Sequence, residues 1–333
     1  MKKFIPLFGL LPLFAFIAKK DKPKQFFDAA YFDKTMVYLP GGSFGTLIAD
    51  TKVGSEHESQ YRVTSVSSFH MYPFEVSNLL YRTFVSEIKT KDTALYREVL
   101  PDTLVWRDKL VYNEPYVDYY FRHPAYNNYP VVGVSYEQCE LFCKWLTEKY
   151  AADPKAKHKK INFKLPSRDQ WCYSASAEIK QAKKTGISDN YNVRLFPWGG
   201  PYLRNSKGLH FANYREIDQS TVMKIDTILK INGKEIAGTW YFGVPGSNRI
   251  AGNLNEYADV TAPVDSFWPS AGGMYNLAGN VEEYVREKGI TKGGSWNDTG
   301  YYLRNDVEEK YDNTNYVTSS RGFRFVMEVE ELK

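Results

Sequence analysis

Gly279-Asn280-Val281-Glu282-Glu283-Tyr284, then Gly293-Gly294-Ser295-Trp296-Asn297-Asp298, then Arg321-Gly322-Phe323-Arg324-Phe325: the C-terminal part of the chain is written in short glycine-anchored blocks, not in long periodic runs. Outward from these blocks the same grammar continues. Phe196-Pro197-Trp198-Gly199-Gly200 reads as a turn, and Gly243–Asn255 as a loop rich in glycine and asparagine. Nothing marks a second domain or an internal repeat. The pattern predicts one domain with few helices, many short strands and long ordered loops.

The helices that do exist announce themselves by caps. Ser135 with Gln138 forms a capping box before Tyr136–Tyr150, where Cys139, Phe142, Cys143, Trp145 and Leu146 recur at helical spacing. Ser77 or Asn78 opens a helix through about Glu87, and Ser167 caps a short one after Leu165-Pro166. Strands are expected over Met36–Phe44 and Thr64–Glu75. A hairpin is expected over Val222–Ile236, turning at Asn232-Gly233. Residues 88–128 lack periodicity and are rich in Tyr, Asp and Arg, as an insertion would be.

Composition narrows the functional classes. The chain has 333 residues, enough to bury a sizeable core, and 16% of them are aromatic, 26 being Tyr. A net charge of +4 leaves no nucleic-acid footprint, and Lys155–Lys160 reads as a solvated turn. Met1-Lys2-Lys3 followed by the apolar run Phe4–Ala18 reads as a secretory signal. The run is short of the ~20 residues that a spanning helix needs. Phe16 makes a poor cleavage site, so removal of the segment stays open. The organisation is therefore read as signal segment 1–18, linker 19–35 and a single domain 36–329 with insertions at about 88–128 and 217–250. The three cysteines, Cys139, Cys143 and Cys172, read as buried inert thiols, with a Cys143–Cys172 disulfide as the alternative.

Eight blocks, in order, resemble the formylglycine-generating (sulfatase-modifying factor) family from about Met36 to Val326. They are Leu39-Pro40-Gly41-Gly42-Ser43-Phe44, Pro130–Ser135, Leu165–Trp171, Phe196–Gly199, Ala262-Pro263-Val264, Gly279–Glu283, Lys292–Trp296 and Gly322-Phe323-Arg324. The resemblance implies an α+β fold: an irregular, C-type-lectin-related domain poor in regular secondary structure. It also implies two cysteines shortly after the Gly-Gly-Ser, a thiolate pair that binds Cu(I). Asp298 and Leu303 stand at those positions, so neither copper nor formylglycine-type oxidation is expected. The family's Trp residues are likewise replaced by Glu282 and Tyr284.

Structural Ca2+ is the cofactor the resemblance leaves open. One site would use Asn280, Val281 and Glu283; the other would use Asn213, Tyr214 and Glu256, with Asp259 as an alternative carboxylate. The competing reading makes Asn280 and Glu283 caps of a helix or turn. Leu100–Trp106 and Tyr119–Tyr126 look like the inserts of the gliding-motility and type IX secretion lipoproteins of Bacteroidota, although no lipidation cysteine follows the apolar run. Three expectations follow. The chain is a non-catalytic, exported component of a cell-envelope complex, in the periplasm or at the outer membrane. Its partners are proteins, recognised through the two insertions and tyrosines such as Tyr112, Tyr116, Tyr119, Tyr120 and Tyr126. It reaches the membrane through those partners or an uncleaved N-terminal segment. The alternative is an enzyme or ligand-binding protein using the same cleft with Ser295, Asp298 and Arg304.

Overall fold

The computed structural model describes residues 27–48, 60–107, 113–176, 194–216, 222–231, 234–243, 258, 260–311 and 316–330. Six helices lie among them: α1 (Ala29–Thr35), α2 (Asn78–Lys91), α3 (Thr93–Glu98), α4 (Glu114–Tyr119), α5 (Tyr136–Ala152) and α6 (Arg168–Ser176). The strands are β1 (Val37–Leu39), β2 (Gly42–Ile48), β3 (Gln60–Val66), β4 (Phe69–Met71), β5 (Ile161–Lys164), β6 (Val222–Ile231), β7 (Lys234–Gly243), β8 (Glu282–Tyr284), β9 (Ile290–Lys292), β10 (Glu309–Lys310), β11 (Arg321–Gly322) and β12 (Val326–Val329). None of the described helices is long and apolar enough to cross a membrane.

The centre is a four-stranded sheet of order β1-β4-β12-β5. Its register sorts side chains by pleat parity. Phe163 and Met327, directly paired, go to the core under α1, α2 and α5, with Phe32, Phe84, Phe142 and Phe325. Leu39, Phe69, Met71 and Val326 go to the other core, against Trp171, Tyr173 and Leu277. Both faces are covered, so the sheet anchors everything else. A second sheet, β10-β9-β8-β11, carries the C-terminal blocks, with β8 and β11 parallel.

The capped helices stand where their caps put them. Ser135 and Gln138 close the reciprocal box at α5, and Ser77 Oγ accepts the Leu80 N–H at α2. Ser167 and Gln170 make a second box ahead of α6, with Ser167 N–H donating to Gln170 Oε1 at 2.9 Å. The hairpin pairs in ten-residue register across β6 and β7; its Asn232-Gly233 turn lies outside the described residues.

Several boundaries differ from the sequence reading. Met36–Phe44 is two strands broken at Pro40-Gly41, and the Thr64–Glu75 run splits at Ser67-Ser68 into β3 and β4, then continues as a loop to the α2 cap. The end of the expected linker folds as α1, capped by Asp28 and holding Ala29 and Phe32 in the core. Seven residues give too little periodicity to be seen in advance. The aperiodic insertion contains α3 and α4, two single-turn-scale helices with the same concealment.

Candidate functional site

The glycine-anchored blocks converge on a buried polar network. Gly279, at φ +76°, lets the chain pass so close to Asn213 that a Cβ would lie 2.2 Å from the Asn213 carbonyl oxygen. Asn280, also left-handed at φ +66°, donates its N–H to that carbonyl at 2.7 Å. Its Oδ1 accepts from Ala262 N–H at 2.7 Å and Asn213 Nδ2 at 3.3 Å, while its Nδ2 donates to Glu75 Oε2 at 2.8 Å. Asn276 Nδ2 donates to the same oxygen at 3.1 Å, and the Val281 N–H reaches Glu75 Oε1 at 3.3 Å. Glu75 is fully buried. Burial and the neighbouring Glu283 charge push its carboxyl up to about 8, against the pull of Arg324 and the amide donors.

Glu283 is matched differently. Arg324 Nε lies 2.8 and 2.7 Å from its two oxygens and Nη2 at 2.5 Å from Oε1; Trp171 Nε1 adds 2.8 Å to Oε2. Arg324 spends its other donors on the Pro73 and Tyr275 carbonyls. A buried carboxylate in such a fork is satisfied; removal of either partner would strand a charge.

Of the residues expected to hold calcium, Asn213, Asn280, Val281 and Glu283 meet in this one network, and Tyr214 is buried beside it in the cluster of Phe196, Ala212, Ala278 and Leu303. Glu256 and Asp259 lie outside the described residues. Glu75 and Asn276 belong to the network and were missed. The only local signal was an acid at the mouth of a helix, while the contact spans some 200 residues of sequence, as the Asn280–Glu75 separation of 205 shows. Among the described residues no group of three or more His, Cys, Asp or Glu side chains is placed to hold a metal. The oxygen chemistry nevertheless suits a hard cation at Glu75, whose bonds all come from neutral amides. The Asn280 amide is held with its NH2 towards Glu75, because its Oδ1 accepts the Ala262 N–H and its Nδ2 also donates to the Ala262 carbonyl at 3.1 Å.

The second cluster lies where the resemblance leads one to expect thiols. Asp298 Oδ2 accepts the Ser295 hydroxyl at 2.5 Å, and Ser295 Oγ accepts the Asn297 N–H at 3.2 Å, so the three residues close a turn. Burial raises the Asp298 carboxyl. Leu303 is 0% exposed in its apolar cluster. Gly294, at φ +63°, admits Tyr302, whose carbonyl carbon would lie 2.9 Å from a Cβ. Arg304 does not join them; it forms a two-pronged pair with Asp306 at 2.9 and 2.6 Å. Where an indole was expected, Glu282 takes Arg321 at 2.8 Å and the Thr291 hydroxyl at 2.5 Å, and Arg321 stacks 4.7 Å from the Tyr311 ring. Burial and the Glu282 and Asp298 charges lift Glu309 to about 8.

The insertion packs beside this region, which leaves Asn297 exposed and Asp298 half-buried. Trp106 stacks 6.2 Å from Trp296 and lies tilted 4.6 Å from Tyr120, whose hydroxyl donates to the Pro130 carbonyl at 2.7 Å. Tyr116, Tyr120 and Tyr126 therefore pack the insertion onto the domain; Tyr119 is 54% exposed and Tyr112 lies outside the described residues. The three thiols are free and buried, Cys139 and Cys143 in one core and Cys172 in the other, with burial pushing each up.

Comparison with known proteins fits this scaffold. Residues 26–329 match the model of the sulfatase-modifying factor enzyme 1-like domain, and the chain belongs to that family. It is 24% identical over 272 residues to the formylglycine-generating enzyme of Mus musculus (76% of this chain, 58% of that one). It is 23% identical over 295 residues to the inactive C-alpha-formylglycine-generating enzyme 2 of Bos taurus (79% and 77%). The chain thus spans less than two thirds of the mouse enzyme's length, and its relatives include proteins named as formylglycine-generating enzymes and proteins named as inactive ones. Among solved structures, PvdO from Pseudomonas aeruginosa aligns with a TM-score of 0.49 at 17% identity (88% of this chain, 94% of that one), and CarF with 0.45 at 16% (89% and 98%).

Proposed function

We propose that this chain is a non-catalytic member of its family, an exported interaction component of a bacterial cell-envelope complex. The observation that carries the first half is the filling of both reactive positions. Leu303 is sealed in an apolar cluster, and Asp298 is a carboxylate tied to Ser295. A soft metal has no sulfur ligand there, since the three thiols are buried in two other cores. The envelope half rests on the N-terminal Lys2-Lys3 and apolar run and on the insert likeness to type IX secretion and gliding-motility lipoproteins. In this reading the protein works in the periplasm or at the outer membrane, held by protein partners or by its N-terminal segment. A structural Ca2+ at the Glu75 carboxylate would add a clamp to loops that the Arg324–Glu283 pair and the Asn280 hydrogen bonds also hold.

The Ser295–Asp298 hydrogen bond favours a second reading, a cleft that binds or turns over a ligand with replaced residues. Against it stands the complete burial of Ser295.

Affinity capture of the tagged protein from native envelopes tests the proposal. A stoichiometric secretion or outer-membrane partner supports it, and recovery as a lone soluble monomer sinks it. Incubation with a sulfatase-derived cysteine peptide and copper should yield no formylglycine by mass spectrometry; any turnover overturns the non-catalytic half.

A further inference from the structure

One face gathers around the point where the chain enters the domain. The Ala29 N–H donates to Asp153 Oδ2 at 2.9 Å, and Asp33 accepts the Tyr150 hydroxyl and, at 3.0 Å, the Lys157 N–H. Helix α1 is thereby latched to the turn between α5 and β5. That turn carries Lys155, Lys157, Lys159 and Lys160, all exposed. Next to it, at the open β1 edge, Tyr38 is 52% exposed, with its ring 5.1 Å from His70, which in turn lies 5.7 Å from His158.

The carboxylates of this face are mostly committed. Asp28 caps α1 and lies 3.7 Å from Lys155, while Asp33 and Asp153 accept backbone N–H groups. Glu330 is exposed beside Lys160, its N–H on the Lys160 carbonyl at 3.0 Å. Among the described residues Lys157, Lys159 and Lys160 form no ion pair within 4.0 Å. Immediately upstream of α1, Phe27 packs on Phe32 and Trp145, and the sequence before it contains Lys19, Lys20, Lys22 and Lys24 behind the apolar run Phe4–Ala18. Where the apolar run is retained, the eight residues from 19 to 26 reach at most ~29 Å, which keeps this face within that distance of it.

We propose that this face docks on an anionic lipid surface, with Lys157, Lys159 and Lys160 on headgroup phosphates and Tyr38 at headgroup depth. It rests on the exported-envelope reading only for where such a surface is met. The chemistry is that of a polybasic turn with an interfacial aromatic next to an apolar segment. Each lysine near such a surface contributes about 1 kcal/mol, so three are worth about a hundredfold in affinity. That is too little to anchor alone but enough to orient a chain held by a second attachment.

The test uses the full chain on vesicles of phosphatidylcholine alone or mixed with phosphatidylglycerol. Because the native thiols are buried, single Tyr38→Cys and Tyr202→Cys variants accept a fluorophore selectively; Tyr202 is 74% exposed on the loop packed near Leu303. The label at 38 should be quenched by brominated lipid on the anionic vesicles, and the label at 202 should not. K157E/K159E/K160E should weaken binding to anionic vesicles by about a hundredfold or more and leave neutral vesicles unaffected. Equal quenching at both positions, an unquenched label at 38 on bound protein, or unchanged binding of the triple variant overturns the proposal. So does binding to neither vesicle, including the case where the lysines serve an acidic protein instead. Loss of a captured partner leaves these readouts unmoved, so failure of the envelope-complex reading is distinguishable.

Discussion

Glu75–Asn280–Glu283–Arg324 and Ser295–Asp298–Leu303 are neighbouring regions with opposite fates. In the first, Glu75, Asn280, Glu283 and Arg324 are all buried and hydrogen-bonded to one another or to neighbouring backbone, and the loops of the C-terminal half hang from them. In the second, the two positions where the family's chemistry would sit hold a carboxylate and a sealed leucine. The difference sets a buried polar scaffold, closed by long-range hydrogen bonds, against a short-range turn and an apolar side chain at positions 298 and 303. Loops that bury little apolar surface need the network to stay ordered, whereas position 303 needs only an apolar side chain that fills its cluster.

The largest effect should come from breaking the scaffold side. Arg324→Met leaves Glu283 buried without its cation and should cost about 3–5 kcal/mol, read by urea unfolding. A loss below 1 kcal/mol would mean water reaches Glu283, and the contrast drawn here would fail. On the other side, Leu303→Ala should cost about 2–5 kcal/mol through its cavity. Leu303→Cys should cost less and leave the peptide untouched, since Asp298 remains hard. Formylglycine formation by L303C/D298C would show instead that the cleft kept its shape.

A third measurement separates the regions by pH. Folding raises the Glu75 carboxyl from 4.5 to about 8. The folded state therefore holds a proton that the unfolded chain releases, and stability falls as pH rises between these values, at up to about 1.4 kcal/mol per pH unit. Glu309, also raised to about 8, falls in the same window, so Glu75→Gln should flatten the curve in part and not abolish it. Millimolar Ca2+ should restore midpoint stability more at pH 8 than at pH 5 by competing with the proton. An unchanged midpoint at both would remove calcium from Glu75.

What could be read in advance follows the range of the interactions. The α5 box at Ser135 and Gln138, the α2 cap at Ser77 and the two hairpin strands are set by residues within a few positions, and all three elements are present, with α2 running on to Lys91 and β7 to Gly243. Asn280 and Glu283 were legible as members of a polar site through the block resemblance. Glu75 and Asn276 were not, because no local pattern distinguishes a buried acid from a helix-flanking one. Helix α1 was hidden in the linker for the opposite reason: its core residues are too few to show a period. The tyrosines were legible as anchors but not as to what they anchor. Trp106, an indole reaching Trp296 across the domain, turns much of the set inward.

The smallest effect tests the turn itself. Ser295 donates to Asp298 Oδ2 and accepts from Asn297, the pattern of a side chain closing its own loop. Because the hydroxyl favours the charged carboxylate, Ser295→Ala should push Asp298 further up. The cost should be about 1–2 kcal/mol at neutral pH and shrink towards acid, where Asp298 is protonated in both states. Partner capture should be unaffected. A nucleophile would behave otherwise: the alanine variant would lose a covalent adduct or an activity with no loss of stability. A thermal shift with pH, set beside active-site labelling of the wild type by a fluorophosphonate probe, tells the two apart. Labelling that disappears in Ser295→Ala would place chemistry back in the region that the buried Leu303 closes.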